Sequence, residues 1–183
     1  MIGLKRELVR QAKYSPFEIY KFVGDGWILL FEETHAPGPA LIRLLRIIAA
    51  TYDHLSHHGI CAVLGITDHQ VGLTFGIECG TLVKIVMNRK TEYVGRALNV
   101  AVRLQSAVGD CEKNPVNKVL ISKNAYSRLK LHRGKTTRGT LVHCSLWNVA
   151  GGEHYQSRKL ALFEEKPARQ ANMRSTTRKS RRV

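Results

Sequence analysis

Two groups of residues stand out for the chemistry their types and spacing allow. Asp25 sits between Gly24 and Gly26, flanked by Phe17–Val23 and Trp27–Phe31, two runs rich in aromatic, β-branched and aliphatic residues. That pattern predicts a β-hairpin with Asp25 in its tight turn. A carboxylate there stands clear of its own backbone, and the glycines leave room for a hydrated ligand. Mg²⁺ suits such a tip, because it takes one or two carboxylates, waters and substrate phosphate oxygens. Asp25-Gly26 is also simply a good turn dipeptide, which is the plainer reading. Asn99 and Arg103 lie four apart in a segment with helical spacing. They are therefore about 40° apart around the helix and about 6 Å apart along it. A planar amide and a fixed cation on one face can hold a ribose and stabilise a pentavalent phosphate. A solvated helix face is the plainer alternative.

Other positions offer less. Asp53, His54, His57 and His58 crowd one helix end, at spacings that permit a transition metal, against the simpler reading of a solvated basic terminus. Trp147 and Tyr155 read as core or edge-strand packing. Nothing basic adjoins Cys79, so it reads as a buried structural thiol. The chain has no G-x-x-x-x-G-K phosphate loop and no dinucleotide fingerprint after a strand. A nucleotide would have to be held by metal and cationic side chains.

The elements that must position these residues follow from periodicity. Leu4, Leu8, Val9 and Ala12 have helical spacing within Met1–Lys13, and Ser15-Pro16 ends it. After the hairpin, Pro37-Gly38-Pro39 opens a unit in which Leu41, Leu44, Leu45, Ile48, Tyr52 and Leu55 recur at three and four. That helix should run to about His58, with Gly59 as its stop. Strands are expected over Gly72–Cys79 and Leu82–Met87, with Asn88–Thr91 a polar loop. Gly95–Val108 reads as a helix with an apolar stripe of Ala97, Leu98, Ala101, Val102 and Val108. A strand at Val119–Ser122, a helix at Asn124–Leu131 and strands at Leu141–Val149 and Lys159–Phe163 complete the chain. The mixed order with hairpins predicts an α+β sheet with helices packed on it.

The chain has 183 residues, with 29 Lys and Arg against 14 Asp and Glu, a formal charge of +15. Its length suits one domain, and 44% apolar with 23% charged residues excludes a mostly disordered chain. No run of 18 apolar residues exists, so no membrane span is expected. The opening MIGLKRELVRQAK carries charges where a signal peptide needs its apolar core, which points to a cytoplasmic protein. Cys61, Cys79, Cys111 and Cys144 are far apart and form no C-x-x-C pair, so they read as reduced thiols. Residues 166–183 hold seven Lys or Arg and no acid. They read as a disordered basic tail after a domain at 1–165. The tail has no aromatic residue to stack on bases, which argues against single-strand nucleic-acid binding.

Taken together, KFVGDGWILLF and the later EYVGRALNVAVRLQ resemble the class III nucleotidyl cyclase catalytic domain. The match extends from Ile19 to Leu131, with a continuation to Phe163. Family members carry a Lys-x-x-Gly-Asp hairpin and a Gly-x-x-x-Asn-x-x-x-Arg helix, and Lys21, Gly24, Asp25, Gly95, Asn99 and Arg103 stand at those positions. The resemblance implies a ferredoxin-like cyclase fold and an enzyme that turns a nucleoside triphosphate into its 3′,5′-cyclic monophosphate and pyrophosphate. It implies two Mg²⁺ or Mn²⁺ ions, with Asp25 as one of two metal-binding aspartates. Asn99 would orient the ribose and Arg103 would stabilise phosphate charge. Active sites would be shared in a homodimer, Asp25 of one chain working with Asn99 and Arg103 of the other.

Two departures from the family pattern carry further expectations. The family's first metal aspartate lies on a strand upstream of Met1, and only Glu7 and Glu18 precede Asp25 as acids. The N-terminal strand is therefore expected to be missing, leaving open sheet edges that invite aggregation. Base recognition is implied for Lys21, for Glu92 three residues before the helix glycine, and for Arg96 after it, which suits a base carbonyl and could equally pair with Glu92. Glu92-Tyr93 and Trp27 make the chain look more like bacterial pyrimidine cyclases of the antiphage signalling type than like adenylyl cyclases. A cUMP or cCMP product is favoured. A cAMP-forming enzyme and an inactive homologue serving as a binding or dimerisation module are the alternatives.

Overall fold

Leu4 and Leu8 are one helical turn apart and both buried, which fixes the inward face of the first helix, α1 (Ile2–Ala12). The computed structural model describes residues 2–14, 17–32, 38–61, 72–133 and 137–164. Ser15-Pro16, Pro37 and the basic segment 166–183 lie outside the described residues. After α1 come β1 (Phe17–Val23), β2 (Gly26–Phe31), α2 (Gly38–Leu55), β3 (Thr74–Ile77), β4 (Val83–Met87) and β5 (Lys90–Val94). Then follow α3 (Arg96–Cys111), β6 (Lys118–Ser122), α4 (Lys123–Arg128), β7 (Thr140–Cys144) and β8 (Tyr155–Ala161). No helix among the described residues is long and apolar enough to cross a membrane.

The strands form a four-stranded sheet in the order β3-β6-β8-β7 and two separate pairs, β1-β2 and β4-β5. Among the described strands only β3 and β6 run parallel. All five residues of β6 are buried, as expected of a strand covered on both faces. Val119 and Ile121 pack with Leu41, Leu45 and Tyr126 from α2 and α4, whereas Leu120 packs with Val100 and Leu104 of α3. Gly76 lets β3 approach α3 closely, because a Cβ there would lie 2.0 Å from the Ala101 carbonyl oxygen. Phe31 of β2 and Phe75 of β3 both pack against the layer formed by α1 and α2. Yet no strand among the described residues joins β2 to β3, so the hairpin and the larger sheet are separate.

Several expectations are corrected. The α2 helix does not stop at Gly59. It passes into one wider π-helical stretch, Ser56–Cys61, and Gly59 lacks the positive φ of a helix-ending glycine. Asn88–Thr91 is not a loop. Asn88 and Arg89 have φ of 51° and 62°, which suits a tight hairpin turn, and β5 begins directly at Lys90. Polar Lys90, Thr91 and Glu92 hid that strand, because a ribbon outside the main sheet needs no apolar alternation. The buried stripe of α3 is Val100, Leu104, Ala107 and Val108, while Val102 is 41% exposed. The helix carries two apolar arcs, and the sheet covers the one that Gly76 admits.

Candidate active site

The β1-β2 hairpin delivers Asp25 as expected. Val23 pairs with Gly26, so Gly24 and Asp25 form a two-residue turn, and Gly24 takes the positive φ of 61°. Asp25 is exposed and makes no hydrogen bond or ion pair to Asn99 or Arg103 within the described residues.

A β-bulge in β1 shapes the next part of the site. Ile19 pairs with Leu29 and Lys21 with Ile28, so Tyr20 has no partner in the register. Neighbouring strand residues ordinarily point to opposite faces, and a bulge breaks that alternation. Tyr20 and Lys21 therefore reach the same oxygen. Tyr20 OH donates to Glu92 Oε2 at 2.5 Å, and Lys21 Nζ donates to it at 3.1 Å. Tyr20 OH also accepts from the Tyr93 amide at 3.0 Å, and Tyr93 OH donates to Glu18 Oε2 at 3.0 Å. The Tyr20 and Tyr93 rings meet edge to face at 5.1 Å. The Tyr20 hydrogen bond, then that of Lys21, holds the Glu92 carboxyl below its ordinary range. The same contact to Glu92 raises Lys21.

Helix α3 presents the remaining residues. Gly95 precedes it, and a Cβ there would lie 2.6 Å from the Thr81 carbonyl oxygen. That glycine lets the helix start close against the chain leading into β4. Asn99 is exposed and Arg103 half-buried. The Arg103 guanidinium lies over the Trp147 ring, 5.2 Å from its centre. Trp147 is 71% exposed, so it is not core packing but an outer platform for Arg103. Arg96 is turned away from Glu92. Its Nη2 donates to the Ala150 carbonyl at 3.2 Å, and its guanidinium lies 6.0 Å from the Tyr155 ring centre.

Sequence reasoning missed Tyr20 and Glu78. A bulge leaves no mark in residue types. Glu78 accepts from Ser122 Oγ and from Tyr155 OH, each at 2.6 Å. Burial first, and this hydrogen bond second, push the Tyr155 hydroxyl up to about 12, so it remains a donor. The histidine group lines a concavity of about 530 Å³ with Ala50, Asn117 and Phe163. His57 Nε2 lies 3.3 Å from Asp53 Oδ1, and the His54 and His58 rings are 4.5 Å apart. Among the described residues no group of three or more His, Cys, Asp or Glu is arranged to hold a metal ion.

No protein-family model and no curated protein matches the sequence. Among solved structures, a bacterial light-regulated adenylyl cyclase aligns with a TM-score of 0.51 at 18% identity. The alignment covers 86% of this chain and 44% of that one. The chain has a cyclase-like α+β fold. It spans less than half the length of that structure.

Proposed function

We propose that the chain is the catalytic domain of a nucleotidyl cyclase that acts on a pyrimidine nucleoside triphosphate, working as a homodimer. The observation that carries this reading is the Lys21–Glu92 pair, set by the Tyr20 bulge beside the helix that bears Asn99 and Arg103. It would supply a donor and an acceptor for a base edge, while Asn99 and Arg103, on the helix that follows β5, would serve ribose and phosphate. Glu92-Tyr93 before the helix and Trp27 after the Gly24-Asp25-Gly26 turn support the pyrimidine choice. Arg96, held at Ala150, adds no support to base recognition in this arrangement. Exposed Val102 on α3, with Val83, Val86, Met87 and Val94 on the β4-β5 ribbon, supports association with a second copy.

In the reaction the ribose 3′-oxygen bonds to the α-phosphorus, the α–β phosphoanhydride bond breaks, pyrophosphate leaves and the hydroxyl proton passes to water. Asn99 would hold the ribose so that the 3′-oxygen faces the phosphorus. Arg103, steadied on Trp147, would neutralise charge gathering on the phosphate oxygens. Lys21 and Glu92 would fix the base. Asp25 alone fits one Mg²⁺ or Mn²⁺ ion whose other ligands are phosphate oxygens and water. A second ion would need another carboxylate beside Asp25. Bound ions would supply charge neutralisation of the triphosphate.

The test is product formation from ATP, GTP, UTP and CTP with Mn²⁺, on the chain and on Arg103→Ala. A cyclic pyrimidine nucleotide, lost in Arg103→Ala, is expected. The adenylyl cyclase activity of the structural neighbour supports a second reading, cAMP formation, and a clear ATP preference would establish it. Nucleotide binding without product from any of the four would favour an inactive homologue acting as a binding or dimerisation module.

A further inference from the structure

Cys111 and Cys144 are 33 positions apart, yet their sulfurs lie 3.0 Å apart. Cys111 is the last residue of α3 and half-buried, and Cys144 is the last residue of β7 and buried. Both are free thiols. Leu120, Val100 and Leu104 pack in the same cluster, which holds helix and strand together at this point. A disulfide bond needs about 2.04 Å between sulfurs, so about 1 Å of approach would close one. We propose that Cys111 and Cys144 form an oxidisable dithiol site, which a peroxide converts to an intramolecular disulfide joining the end of α3 to the end of β7.

The two thiols divide the work. Cys111 is the one that solvent reaches. Burial first, and the contact with Cys111 second, push the Cys144 thiol up to about 12, so the more exposed Cys111 is the thiol that meets the peroxide first. The Cys111 thiolate attacks one peroxide oxygen, the O–O bond breaks, and hydroxide leaves to become water by taking up a proton. Cys111 is then a sulfenic acid. The Cys144 sulfur attacks the Cys111 sulfur, the S–O bond breaks, and the hydroxyl departs as water with the Cys144 proton. Two thiols lose two electrons, and one peroxide becomes two waters. The proposal rests on the thiols alone and stands whether or not the chain forms a cyclic nucleotide.

The experiment treats the native 183-residue chain with hydrogen peroxide, blocks remaining thiols by alkylation after unfolding, and digests with trypsin without reduction. Peptides 104–113 and 139–158 carry the two cysteines. A linked pair of these, two hydrogens lighter than their sum and released by reductant, is expected. In Cys144→Ser, Cys111 should instead be captured by a sulfenic-acid reagent. Full alkylation of Cys111 and Cys144 after peroxide, or links formed only through Cys61 or Cys79, would overturn the proposal. So would an unreactive Cys111 in Cys144→Ser.

Discussion

At the scale of single residues, the Lys21–Glu92 contact is one of the links between the hairpin and the β4-β5 ribbon. Its dependence on pH follows from the direction of each shift. Glu92 sits below its ordinary value of 4.5, so its contribution is complete above 4.5 and is lost as pH falls through its lower folded value. Lys21 sits above its ordinary 10.5, so its contribution is complete below 10.5 and is lost as pH rises through its higher folded value. The contact should therefore be intact between 4.5 and 10.5. The Tyr93 amide, which donates to Tyr20 OH, reports on it by NMR. Its chemical shift should be flat through that window and move on the acid side, and Glu92→Gln should remove the acid limb. An unchanged acid limb in that variant would assign the movement to another group.

At the scale of elements, the glycines in contact with α3 and its flanks govern where the helix sits. A methyl group at Gly76 would collide with the backbone at Ala101 and at Gln105, the latter at 2.5 Å. Backbone cannot swing aside as a side chain does, so β3 and α3 would have to separate. Gly76→Ala should cost about 3 kcal/mol of stability and broaden or abolish a cooperative melt. Gly109 meets nothing within 4 Å. It also lies in α3, where replacing glycine by alanine ordinarily gains up to about 1 kcal/mol. Gly109→Ala should therefore be neutral or stabilising. Denaturant melts of the pair separate a packing constraint from a general sensitivity of the helix, and equal losses in both would refute the packing account.

At the scale of the whole molecule, the site residues fall into groups that one chain does not close. Lys21 and Glu92 meet, Arg103 rests on Trp147, and Asp25, exposed at the hairpin tip, meets neither group among the described residues. The proposed homodimer, with sites shared between two copies, would bring these groups together. Asp25→Ala and Arg103→Ala should each lose turnover while changing stability by no more than about 0.5 kcal/mol, because neither side chain is core. Mixing the two inactive variants should restore part of the activity, since one site of each mixed dimer keeps both residues. Failure to recover activity after proven subunit exchange would place the site within one chain.

Most helices and strands could be read from residue order, because burial imposes a period that residue types carry. Leu41, Leu44, Leu45 and Ile48 announced α2, and Gly24-Asp25-Gly26 between two apolar runs announced the hairpin. Asp25, Asn99 and Arg103 stood out by type and spacing, and Lys21 and Glu92 only through the resemblance to class III cyclases. What residue order could not contain was direction and long-range contact. The Tyr20 bulge, which brings Tyr20 and Lys21 to one Glu92 oxygen, depends on the pairing register of β1 with β2. The choice of buried arc on α3, with Val102 left outside, depends on which face the sheet meets. Arg96 turned to Ala150, Trp147 became a platform for Arg103, and Cys111 came to Cys144. Each joins segments that are distant in sequence, and only packing of the complete chain brings such segments within reach.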